Sequence, residues 1–142
     1  MKKILFTFYV LLACANTAFG QVTISTSDLI GTKWQLEDAE DGHSKPFYEF
    51  STRMVLWHCS DGTTFSYPFY LSATIPTTFD FSRVGVQTEG CYFIKYNTKR
   101  DCFYCYAIMS FNKSTGKMVH KRVYPTKVIG LTDTFTYILM KQ

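Results

Sequence analysis

The stretch Leu29-Ile30-Gly31-Thr32-Lys33-Trp34-Gln35-Leu36 reads as the first strand of a closed antiparallel barrel, with Trp34 as the plug of its lower end. A glycine just ahead of a tryptophan lets the incoming chain pass close beneath the ring. Short strands follow. Lys33 to Asp38 alternates and stops at the acidic turn Asp38-Ala39-Glu40-Asp41-Gly42. Phe47 to Phe50 and Arg53 to Cys59 are the next two strand pieces, and Ser60-Asp61-Gly62 turns the chain. Thr63 to Leu71 then returns with Phe65, Tyr67 and Phe69 on one face. Pro68 cannot donate to a ladder, so an edge, bulge or kink is expected there.

Further along, Thr77 to Ser82 reads as a strand carrying Phe79 and Phe81, and Gly85 to Gly90 as a polar loop. Glu89 to Tyr96 and Asp101 to Phe111 form the clearest hairpin, joined at Asn97-Thr98-Lys99-Arg100. After the turn Asn112 to Gly116, the strand Lys117 to Tyr124 is broken by Pro125. Val128-Ile129 is a short continuation, Gly130 to Asp133 turns, and Thr134 to Met140 closes the sheet.

The sum is an all-β chain: an up-and-down antiparallel β-barrel of eight to ten strands, with no helical periodicity beyond the first twenty residues. Closure removes the edges that would otherwise aggregate. Aromatic residues make up 18% of the chain, with 13 Phe, 10 Tyr and 2 Trp. A barrel of about eight strands is either packed solid or holds one small ligand, and such a composition serves both. Phe65, Phe79, Phe81, Phe93, Phe103 and Phe135 are expected to fill the core.

The front of the chain is a targeting segment. Met1-Lys2-Lys3 is a charged n-region, and Ile4 to Ala13 is an apolar run of secretory length, too short to span a bilayer. Cleavage after Ala18-Phe19-Gly20 makes residues 1–20 a signal peptide and residues 21–142 one barrel domain. The competing reading takes Leu11-Leu12-Ala13-Cys14 as a lipobox, with the protein anchored through Cys14. Both readings export the chain to the periplasm or beyond. Without Lys2 and Lys3 there are 13 basic residues against 11 acidic, a net charge of +2, which argues against nucleic acid as a partner. Residues 28 to 61 hold seven acids and three bases, and residues 83 to 141 ten bases and three acids. Solvated strand faces and loops account for the asymmetry.

Leu29-x-Gly31-Thr32-Lys33-Trp34-x-Leu36, the strand Tyr48-x-Phe50, and Ile129-x-Leu131-Thr132-Asp133 before an apolar last strand resemble the small secreted lipocalin-like (calycin) domains of bacteria. The likeness implies a barrel that takes a small hydrophobic molecule at its mouth. Two residues separate Gly31 from Trp34 where lipocalins have one. Lys127 and Lys141 are the nearest counterparts of the arginine that packs over the tryptophan in that family.

Cys59, Cys91, Cys102 and Cys105 lie in the exported part, where an even number of cysteines points to disulfides. A hairpin register near the one the turn suggests pairs Cys91 with Cys105 and leaves Cys59 for Cys102. Free buried thiols are the alternative. Cys102-x-x-Cys105 has redox spacing, but residues three apart on a strand point to opposite faces, and no helix terminus is at hand to activate a thiol. No metal site is expected: His58-Cys59-x-Asp61 clusters ligand types, yet neighbours on a strand diverge. His43 and His120 are expected at the surface, and the basic strand Lys117 to Arg122 as a solvated face.

With no nucleophile elbow, phosphate loop or matched carboxylates, neither enzymatic activity nor a cofactor is expected. The functional expectation is a small apolar or amphipathic ligand at the barrel mouth, with Tyr67, Phe69, Tyr92, Tyr104 and Tyr106 as binding residues. The alternative is a solid-cored cell-envelope module meeting a protein or glycan, and a lipid at Cys14 would be its sole link to a membrane.

Overall fold

A computed structural model of the chain describes residues 21–37, 45–125 and 133–141. Residues 1–20 with the expected signal peptide and Cys14, the acidic turn with His43, and the Val128-Ile129 segment with Lys127 fall outside these ranges. The chain opens on β1 (Ile24–Ser25) and one turn of helix, α1 (Thr26–Leu29). Then come β2 (Lys33–Leu36), β3 (Phe47–Phe50), β4 (Met54–His58), β5 (Thr64–Ser72) and β6 (Glu89–Gly90). The last four strands are β7 (Tyr92–Asn97), β8 (Cys102–Asn112), β9 (Lys117–Tyr124) and β10 (Thr134–Leu139).

All strands but β1 and β6 close into one eight-stranded antiparallel up-and-down barrel, compatible with a calycin-like fold. Each barrel strand pairs with those before and after it, and β10 returns to β2 through Leu139↔Trp34 and Tyr137↔Leu36. Between β5 and β7 the chain leaves the barrel, crosses its outer face and pairs β6 with β1. The expected strand over Thr77 to Ser82 does not form. Phe79 and Phe81 do alternate, but they sit in this crossing, where Phe81–Arg83 is a single 3-10 turn and no neighbouring strand offers a ladder.

Side-chain alternation sorts each strand into an inner and an outer face. Trp34, Tyr48, Phe50, Val55, Phe69, Leu71, Phe93, Tyr106, Ile108, Met118 and Tyr137 form the barrel core. Tyr70, Val84, Ile94, Phe103 and Cys105 form a second cluster beneath the crossing segment. Phe93 and Phe103 are buried as expected, one in each cluster, and Phe79 and Phe135 pack at their margins. Phe65 at 37% and Phe81 at 56% exposure do not fill the core: one stands at the barrel rim, the other on the crossing segment.

The lower end is closed by more than Trp34. The expected polar lead-in folds as α1, capped reciprocally by Ser25 and Asp28, and it seats a fully buried Leu29 in the barrel core with Trp34. Trp34 has no exposure; its Nε1 donates to Thr32 Oγ1 at 2.8 Å, and Phe111 packs at 5.4 Å. Lys141, one of the two expected counterparts of the family's arginine, is exposed. Gly31 has φ +82°, and a Cβ there would meet nothing within 4 Å. The turn into β2 thus needs this glycine for its backbone angle, not for close passage beneath the ring.

Candidate functional site

Pro68 decides where the barrel opens. Phe69 donates its backbone N–H across to Arg53 O on the β4 side at 3.4 Å, so strand alternation turns position 68 toward β7. A proline there has no N–H to give, and the β5–β7 ladder begins only at Phe69↔Lys95. No bulge results, since Pro68 stays in register with Met54 of β4, but from Pro68 outward β5 is an edge on its β7 side, as expected of a proline. The β4–β5 and β7–β8 hairpins part beyond this point. Between them lies a cleft of about 460 Å³ lined by Trp57, Cys59, Phe65, Tyr67, Asn97, Lys99, Arg100 and Tyr104.

Directly inside the cleft sits Lys95, only 8% exposed. Its Nζ donates to Tyr48 Oη at 2.7 Å and faces the rings of Tyr67 at 4.6 Å, Tyr48 at 5.0 Å, Tyr106 at 5.4 Å and Tyr104 at 5.6 Å. Burial brings its ammonium down to about 7. Tyr48 hydrogen-bonds onward to Tyr137, and burial holds both phenols, and that of Tyr106, well above their ordinary range. Tyr67 and Tyr104 belong to both structures: they floor the cleft and wall the lysine.

His120 lies deeper, 1% exposed, among Phe93 at 5.6 Å, Tyr137 at 5.4 Å and Tyr106 at 6.2 Å. This overturns the expected surface position. The register Phe135↔His120 and Tyr137↔Met118 puts Met118 and His120 on the inner face of β9, so the strand is not a uniformly solvated one. Burial first, and Lys95 second, bring the imidazole down to about 3, so it is neutral at physiological pH. Neither of its ring nitrogens has a partner among the described residues, nor has the buried Nε of Arg122, which pairs across from Tyr106.

Of the five ligand-binding candidates, Tyr67 and Tyr104 line the cleft and Tyr106 stands beside Lys95. Phe69 is packed in the core against Phe50 and Phe93. Tyr92 is on the outer face, where Gln21 Nε2 donates to its hydroxyl at 3.2 Å. Lys95, His120 and Arg122 were missed. Their signal was alternation: Lys95 shares a face with Phe93, and His120 with Met118.

The expected disulfides are absent, and all four cysteines are free. Cys105 pairs across from Ile94, while the carbonyl of Cys91 accepts from Ile108 N–H at 2.8 Å. The two cysteines are therefore three residues out of register, about 10 Å along the strands, beyond disulfide reach. Cys59 and Cys102 stand on separate hairpins. Burial raises the Cys105 thiol to about 12, the reverse of an activated nucleophile. On the outer face His58 Nε2 lies 2.9 Å from Glu49 Oε2, its Nδ1 3.1 Å from Thr64 Oγ1, and its ring stacks on Phe47 at 4.3 Å.

No family model, curated protein or solved structure matches the chain.

Proposed function

We propose that this protein is an exported, lipocalin-like binding protein, without catalytic activity, that takes a small amphipathic molecule into the cleft between its β4–β5 and β7–β8 hairpins. The observation that carries this reading is the cleft's lining: four aromatic side chains, Trp57, Phe65, Tyr67 and Tyr104, with Lys99 and Arg100 beside them. An apolar body stacks on the rings and a polar end meets the bases. The barrel below is filled by Phe50, Phe69 and Phe93, so the site is a cleft at the mouth and not a deep calyx.

Trp57 lines the cleft and Trp34 is sealed at the far end, so ligand binding changes the fluorescence of Trp57 alone. Saturable quenching or enhancement by an alkyl amphiphile, lost in Trp57→Phe, is the expected result. A native mass spectrum of protein from its own host, with no bound adduct and no ligand-dependent fluorescence, would count against the reading.

One observation favours the alternative of an envelope interaction module. The crossing segment leaves a second, more open cleft of about 530 Å³ lined by Tyr70, Ser72 and residues from Thr74 to Arg83, next to the exposed Phe81. Phe81 packs edge-on against Phe79 and Tyr96 at 4.8 and 4.9 Å, an aromatic patch on the outer wall. Loss of a co-purifying protein in Phe81→Ser with unchanged Trp57 fluorescence would favour this second reading.

A further inference from the structure

Beneath the floor of the cleft, Tyr67 and Tyr104, lies an interior whose charged side chains, among the described residues, are all of one sign. Lys95 points into it from β7 and Arg122 from β9, while His120 adds two unpartnered nitrogens one layer down. Around these stand the hydroxyls of Tyr48, Tyr106 and Tyr137. Among the described residues no carboxylate joins them: the one ion pair is His58–Glu49 on the outer wall. A cation this deep loses its hydration, and apolar side chains of similar volume would fill a barrel at lower cost. Buried cations in proteins are ordinarily paired. Here the missing partner is an acceptor of negative charge.

Resting on the cleft reading above, we propose that the ligand carries an oxyanion head group, and that the head passes between Tyr67 and Tyr104 to seat on Lys95 and Arg122 while its apolar body stays on Trp57 and Phe65. Three features support this geometry. Tyr67 and Tyr104 are half-buried and border the cleft on their outer sides. Arg122 and Lys95 approach Tyr106 from neighbouring strands, one pairing across from it on β9 and the other over its ring from β7. Lys99 and Arg100 line the cleft itself, where an anion meets them on its way in, with Asp61 and Asp101 in the turns of the same two hairpins. His120 is buried, neutral and unpartnered beneath, and donates to the head from whichever ring nitrogen is protonated.

The test compares four ligands of one chain length on the wild-type mature protein: decanoate, decyl phosphate, decanol and decylamine, each titrated against Trp57 fluorescence at low ionic strength. At least one of the two anions is expected to bind tenfold or more tightly than decanol, and decylamine weakest of all. The ranking of decanoate against decyl phosphate assigns the head as carboxylate or phosphate, and a preference for either supports the proposal. Lys95→Met is expected to narrow the ratio between the anion and decanol tenfold or more. Equal binding of decanol and both anions, or preferred binding of decylamine, overturns the oxyanion proposal and leaves the cleft reading standing. If none of the four binds, the cleft reading fails and this proposal with it. The wild-type comparison decides even if Lys95→Met does not fold.

Discussion

Lys95 and His120 leave marks of the same sign on stability, each in its own pH range: both are held below their unfolded values, so both favour the folded chain as pH rises. An unfolded lysine keeps its proton to about 10.4, whereas folded Lys95 releases its own at about 7. Above pH 7 the unfolded chain binds more protons, so stability rises with pH. Of the groups facing Lys95, Tyr48, Tyr67 and Tyr106 stay neutral across this range because burial raises their phenols, and His120 because burial lowers its imidazole. Urea unfolding should show a gain of about 1 to 2 kcal/mol between pH 7 and 8.5, absent in Lys95→Met. Above that range Cys105 and the raised phenols pull the other way, since their protons leave the unfolded chain first. His120 acts on the acid side. Its folded value of about 3 lies below the unfolded 6.5, so stability is lost as pH falls from 6.5 toward 3, and His120→Phe should blunt that loss. The thiols give a second check at this scale. In the native chain without reductant, iodoacetamide should label Cys59, Cys91 and Cys102 and spare the buried Cys105, which reacts only on unfolding. Labelling that requires reductant would contradict the free thiols.

Among the elements, β5 is the one whose sequence shapes the site. Its upper half, Thr64 to Pro68, is laddered to β4 and its lower half, Phe69 to Ser72, to β7, with the change at Pro68. Pro68→Val restores the missing donor and should zip β5 to β7 one step further. The expected result is a protected amide at position 68 and roughly tenfold weaker ligand binding, with no loss of stability. Hydrogen exchange reads the first and Trp57 fluorescence the second. Two glycines at element boundaries behave differently for stated reasons. Gly90 of β6 lies so close to β5 that a Cβ would stand 2.0 Å from Ser72 O, backbone that cannot move aside. Gly90→Ala should therefore cost at least about 2 kcal/mol and detach the crossing segment, whereas Gly31→Ala, strained only in φ, should cost about 1 kcal/mol. Thermal melts of the two variants separate these cases. The crossing segment is also where local patterning misled: Phe79 and Phe81 alternate like strand residues, but a strand forms only where a neighbour supplies a ladder.

For the whole molecule, closure makes the two ends of the barrel unequal. The lower end is sealed by α1, Leu29 and Trp34, and the upper end parts into two hairpins. Trp34→Ala should cost about 3 to 5 kcal/mol by the cavity it leaves, and Trp57→Ala at the cleft much less, as denaturant midpoints will show. Much of this architecture was legible in the chain. Period-two alternation and short polar turns placed the eight barrel strands in order, and a meander that must hide its edges closes on itself. Those are local properties, decided within a few residues. The cysteine pairing failed because it hangs on a three-residue difference in register, which turn residues do not specify. The chain by itself determined an all-β meander with an inner and an outer face. Only the tertiary structure decided that Tyr48, Lys95 and His120, from β3, β7 and β9, share one buried space, and that Pro68 opens a cleft above it. The physical reason is that alternation repeats every two residues, whereas burial, a displaced pKa and a cleft are sums over strands far apart in sequence.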